Sequence, residues 1–125
     1  MQGPTAGTQP GVSGGASIEA AFRERRSDEW VEAAGVVVKV LADDREGVPH
    51  QRILVRVDES GDITVLIAHN LNAAERVPVQ NGDRLQFRGE YEWTEKGGTV
   101  HFTHEPEFQR RDPGGWIEFS GKRYD

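Results

Sequence analysis

The chain contains no cysteine. That removes disulfides, thiolate nucleophiles and cysteine-based zinc sites, and it fits any redox compartment. No apolar run approaches the length that spans a bilayer, so membrane insertion is not expected. The first residues lack the basic start and apolar core of a secretory signal. The default expectation is therefore cytoplasmic, although a mature form already freed of its signal would read the same way. A basic excess is missing too. The 15 Lys and Arg residues are outnumbered by 21 Asp and Glu, for a formal charge of −6, which argues against tight sequence-independent binding to duplex nucleic acid. There is no glycine-rich phosphate loop, no serine elbow and no internal repeat at a fixed period. Hydrophobic residues reach only 35%, and the shortage is sharpest in residues 1–16, which hold five glycines, two prolines and no charged side chain. Such a stretch cannot bury enough apolar surface to order itself, so residues 1–16 are expected to form a disordered tail and residues 17–125 a single domain.

What the chain does have is period-two alternation. A short helix is expected first, over residues 17–26. Ser17 is a cap candidate, Ile18, Ala21 and Phe22 form an i, i+3, i+4 stripe, and Glu19 puts an acid in the first turn. Val31 to Leu41 is valine-rich and predicts a long strand, bent or bulged at Gly35. Gln51 to Asp58 alternates Ile53, Val55 and Val57 against Arg52, Leu54 and Arg56. Ser60-Gly61-Asp62 turns the chain into a third strand, Ile63 to Ala68, and residues 69–76 have the composition of a helical turn. Arg84 to Trp93 alternates again, with Leu85, Phe87, Tyr91 and Trp93 opposed to Arg88, Glu90 and Glu92. Gly97-Gly98 closes a hairpin into Thr99 to Thr103, expected to set Tyr91 opposite Phe102 and Trp93 opposite Val100. Residues 105–115 read as a polar loop, within which Pro106 to Pro113 is an ordinary connection or, more ambitiously, a lid. A last hairpin pairs Trp116 to Phe119 with Lys122 to Tyr124 across Ser120-Gly121. Three strands, a short helical connection and two more strands is the order of an OB-like small β-barrel, closed or partly open. The expected fold is thus mainly β, with a short N-terminal helix and a C-terminal hairpin.

Several ordered motifs carry a family resemblance: the stretch from Gly35 to Asp44, His50-Gln51-Arg52, Leu66 to Asn70, Gly89 to Trp93, Lys96-Gly97-Gly98, His101 to His104, and Gly114 to Glu118. Over residues 18–125 the chain resembles an uncharacterised bacterial family, domain of unknown function 3465. The resemblance implies no activity. In that family the fifth strand tends to read His-Trp-Thr-His-His; here Phe102 stands for the tryptophan and Glu105 for the last histidine, which weakens any role needing an imidazole at position 105.

All four histidines fall in this β-rich region, in polar company, and imidazole is the side chain able to change charge or bind metal near neutral pH. On the expected register His101 faces Glu92 with Glu90 diagonal to it, while His104 points to the opposite face. The candidate ligand-binding set is His50, Arg52, His69, Asn70, Glu92, His101 and His104. Each has a plainer role as well: the histidines as strand-end groups bonded to backbone, Asn70 as the cap of the following turn. Arg52, Arg56, Arg84 and Arg88 add a basic, non-core constellation. Trp30, Tyr91, Trp93 and Phe102 add aromatic surface, three of them expected in the core. The favoured function is a non-catalytic binding module for a small anionic ligand or single-stranded nucleic acid. One alternative is a metal-dependent hydrolase or nuclease, with a divalent ion such as zinc or manganese held by the histidines and Glu90, Glu92 or Glu105. The aspartate such a nuclease needs is not convincingly supplied by Asp62, which sits in an evident turn. A third class is a protein-interaction module. No catalytic residue, cofactor or oligomeric state is assigned.

Overall fold

A computed structural model describes residues 17–106 and 113–125. The expected tail over residues 1–16 lies outside the described residues, as do residues 107–112 of the expected polar loop. The elements in chain order are α1 (Ile18–Arg23), β1 (Glu29–Asp44), β2 (His50–Val57), β3 (Thr64–Asn70), β4 (Arg84–Glu92), β5 (Thr99–His101), β6 (Trp116–Phe119) and β7 (Lys122–Tyr124).

Five strands close into a ring. β1 pairs with β2, β2 with β3, β3 with β5, β5 with β4, and β4 returns to β1. All these pairings are antiparallel except β3 with β5. β6 adds to β4 beyond the end of β5, and β7 pairs with β6. The ring closes because β1 is long enough, at 16 residues, to serve two neighbours in succession. Its first half pairs with β4 and its second with β2, and Gly35 is opposite both Leu85 and Val57. A Cβ at Gly35 would run into the Arg56 carbonyl and the Val55 side chain, so glycine lets the backbones close up there. The bulge expected at this glycine lies slightly later. The register slips between Val37 and Lys39, leaving Val38 exposed.

The period-two pattern places one face of each strand inside. Val31, Ile53, Val55, Ile67, Phe87, Tyr91, Val100 and Ile117 are all fully buried. The hydroxyl of Tyr91 donates to the Gly97 carbonyl at 2.6 Å, which satisfies its one polar group.

α1 is shorter than expected. Ser17 accepts from the Ala20 amide, and the helix ends when Arg25 adopts a φ of 55° and the Arg26 amide reaches back to the Ala21 carbonyl at 2.9 Å. Glu59, in the β2–β3 turn, takes up the free first-turn amides of Ile18 and Glu19 and so fastens the helix to the ring.

Two expectations need correction. The β3–β4 connection is not helical: one turn forms over Asn70 to Ala74 and then stops. Pro78 disfavours helical backbone at Val77, and the side chain of Gln51 claims Val77 instead, donating to its carbonyl at 2.8 Å and accepting its amide at 2.9 Å. The β4–β5 register is also shifted by two residues, with Tyr91 opposite Val100 and Glu90 opposite His101. Inside and outside are unchanged by an even shift, but Phe102 lies beyond the last residue of the β4–β5 ladder. It adopts a φ of 60°, and β5 ends at His101.

Candidate functional site

The outward residues of β2 and β3 form the site's floor. On β2 these are His50, Arg52, Leu54 and Arg56, and opposite them on β3 stand Asn70, Ala68, Leu66 and Thr64. Leu54 and Leu66 are direct partners, with Lys39 of β1 beyond Leu54 and Thr99 of β5 beyond Leu66. Leu41 lies opposite Arg52 in the neighbouring row. A sheet face turned to water ordinarily carries polar side chains, so three half-buried leucines pointing away from the core are a departure from the pattern.

Above this floor the β4–β5 loop contributes Thr94, Lys96 and Gly98, leaving a groove of 520 Å³. That size lies within the range of small-molecule sites. Its walls combine Leu41, Leu54 and Leu66 with the cations Arg52 and Lys96 and the hydroxyls of Thr64 and Thr99; among the described residues no carboxylate and no imidazole lines it. Arg52 is held in place by its Nε–H, which donates to the Ala42 carbonyl at 2.8 Å.

The charges sort themselves sharply. Arg23, Arg26, Arg45, Arg76, Arg84, Arg88, Lys122 and Arg123 each pair with a carboxylate. Arg25 lies over the Trp93 ring. The cations with neither an acid nor a ring as partner among the described residues are then Lys39, Arg52, Arg56 and Lys96. All four stand on or beside this one face.

The histidines do not converge. His69 is fully buried, and both its nitrogens are used. Nε2 lies 2.9 Å from the Glu75 carbonyl, which can only accept, so Nε2 carries the proton and the Thr103 hydroxyl donates to Nδ1 at 2.7 Å. Burial pushes its pKa from 6.5 down to about 4, and the nearby imidazoles of His104 and His50 act in the same direction. His104 is buried as well. Its Nδ1–H donates to the Glu105 carbonyl at 2.7 Å, and its Nε2 has no hydrogen-bond partner among the described residues. His50 opens β2, donating from Nδ1 to the Val48 carbonyl at 2.8 Å. His101 faces outward and meets Glu92 at 2.8 Å, diagonally rather than straight across. Asn70 caps the turn that follows it, accepting from the Asn72 and Ala73 amides.

Of the seven expected site residues, the structure brings His50, Arg52 and Asn70 together at one end of the outer face. Continuing the β3–β5 register puts His101 beside Ala68, about 10 Å from Arg52 across two strand spacings. Glu92 lies at the far edge, bonded to His101, and His69 and His104 are inside. No group of three or more His, Asp or Glu among the described residues is arranged to hold a metal ion. Lys39, Lys96 and the three leucines were not foreseen as site residues. The available signal was the apolar interruption of the outward faces of β2 and β3 at Leu54 and Leu66.

A mainly β domain built on a five-stranded ring, carrying one basic and apolar outer groove, is the class of protein that fold and surface define. The chain belongs to the family described as "Protein of unknown function (DUF3465)", whose model matches residues 5–125. Comparison with curated proteins and with solved structures returned no match.

Proposed function

We propose that this domain is an OB-like, non-catalytic binding module for an anionic ligand, seated on the outer face of β2 and β3. Support for the OB-like reading comes from the strand order, a ring running β1-β2-β3-β5-β4 and back, and from a groove in the position where such folds bind their ligands. That position is the face of the second and third strands, flanked by the loops after the first and fourth. The observation that carries the anionic part is the gathering on this face, in an otherwise acidic chain, of Lys39, Arg52, Arg56 and Lys96, which are in no ion pair among the described residues. A guanidinium or ammonium with no carboxylate partner is available to an incoming anion, and a charged hydrogen bond made there is worth about 1.5 to 3 kcal/mol. Among the described residues neither an acid nor an imidazole lines the groove, so none of them supplies a base to activate a nucleophile, which favours binding over catalysis.

The test is calorimetric titration of the chain with small organic anions and with a labelled single-stranded oligonucleotide. Arg52→Gln/Lys96→Gln should weaken binding by about tenfold or more for each cation lost, and raising salt from about 50 to about 200 mM should weaken it further. Equal binding by the double variant, or no binding by any anionic probe, overturns the reading.

A further inference from the structure

The groove is sorted along its length. At one end Arg52 stands beside Leu41, in the middle Leu54 faces Leu66, and Thr64 follows along β3. Resting on the anion-binding reading above, we propose that the ligand is a single-chain amphiphile: a linear aliphatic chain ending in a carboxylate or a similar anionic head.

The head belongs at Arg52. Its guanidinium is anchored through Nε to the Ala42 carbonyl, which leaves the two Nη groups as a fixed fork without an ion-pair partner among the described residues. A planar fork of that kind matches the two oxygens of a carboxylate. The tail belongs on the leucines. Leu41, Leu54 and Leu66 line the groove and stand apart from the hydrophobic core, so their apolar surface gains only if something covers it. From Arg52 to Arg56 along β2 is about 13 Å, the reach of roughly ten methylenes in an extended chain. Lys96, at the edge of the groove, can lay its own methylene stem over such a tail.

An oligonucleotide fits this surface less well. Single strands are held by stacking on aromatic rings, and among the described residues no aromatic side chain lines the groove. Trp30 and Phe102 are not among the residues that line the groove, and other rings are engaged elsewhere. Tyr91 is buried, Trp93 stacks on Phe22 at 6.4 Å between centroids, and Trp116 lies under Arg123.

The experiment titrates the full chain with acetate, octanoate, decanoate and dodecanoate below their micellar concentrations, and with a labelled single-stranded oligonucleotide. Backbone amide shifts report the place of binding. Decanoate should bind, shift the amides of Arg52, Leu54 and Leu66, and tighten about two- to fourfold for each added methylene, as partial to full burial of a methylene gives. Arg52→Gln should cost about tenfold. Leu54→Thr/Leu66→Thr, which keeps β-compatible side chains on an outer face, should flatten the chain-length dependence while leaving the melting temperature within a few degrees. Binding of acetate or the oligonucleotide through Arg52, with no gain from longer chains, overturns the amphiphile and leaves the anionic module standing. Failure of every anion overturns both. Shifts confined to residues outside the groove overturn the proposed placement.

Discussion

His69 shows how little a residue's type says about its task. Histidine suggests a switch or a ligand, yet this one is locked neutral between the Thr103 hydroxyl and the Glu75 carbonyl, tying β3 to the chain on both sides. Its charged form is disfavoured by burial, with a folded pKa of about 4 against 6.5 in a solvated chain. Between those values the unfolded state binds the extra proton, so this contribution to stability is complete above pH 6.5 and is lost as pH falls toward 4. The amount is about 3 kcal/mol. Urea denaturation of wild type and His69→Asn at a series of pH values should show the variant less stable at neutral pH and with a shallower decline between pH 6.5 and 4. An equal decline in both would mean that His69 is not the titrating group. The sequence placed the four histidines in one region but could not separate them by depth. Parity set His101 and His104 on opposite faces, but β5 ends at His101, so parity is not what turns His104 inward. It could not reveal that Phe102 leaves the sheet with a positive φ, which takes both Thr103 and His104 inside.

The strands themselves were readable, because alternation such as Leu85, Phe87 and Tyr91 against Arg84, Arg88 and Glu92 has only one comfortable arrangement on a pleated surface. The hairpin across Ser120 and Gly121 was equally legible, with positive φ at both turn residues. Connections were harder, since their conformation depends on partners far along the chain. Nothing local announces that Glu59 will cap α1 or that Gln51 will bind the backbone of Val77. Gln51→Leu would fill much the same space but strand the Val77 amide and carbonyl in the interior. The expected loss is about 2 to 4 kcal/mol, read from the urea midpoint, with Gln51→Glu intermediate because only the acceptor half survives. The β4–β5 turn depends on glycine for a different reason. Gly98 has a φ of 108°, and a Cβ there would strike the Tyr91 ring, so Gly98→Ala should cost about 2 to 4 kcal/mol even though the change adds only a methyl.

Across the whole molecule, composition gave the sign of the charge and missed its distribution. A formal charge of −6 argued against tight, sequence-independent binding to duplex nucleic acid, while Arg52 and Arg56 already read as part of a local basic face. The fold distributes that charge unevenly: among the described residues nine carboxylates pair with lysine or arginine elsewhere, while Lys39, Arg52, Arg56 and Lys96, which are in no such pair, share one face. A single sequence cannot reveal this, because pairs such as Arg84 with Asp58 and Lys122 with Glu75 form between residues widely separated along the chain. Arg56 and Lys39 flank the leucines without being needed by any acid among the described residues. Arg56→Gln should therefore leave thermal stability within about 0.5 kcal/mol of wild type, whereas Arg84→Gln, which strands Asp58, should lose up to about 1 kcal/mol.

The double service of β1 has a kinetic corollary. Because one half of this strand is laced to β4 and the other to β2, no part of it can peel away without opening the ring. Its amide protons around Gly35 should exchange with deuterated solvent only through global unfolding, at the slowest rate in the protein, while those of the short outer strand β7 escape through local fraying. Exchange measured at increasing urea would then place β1 through β5 in a single cooperative unit and β6–β7 in a second that opens first.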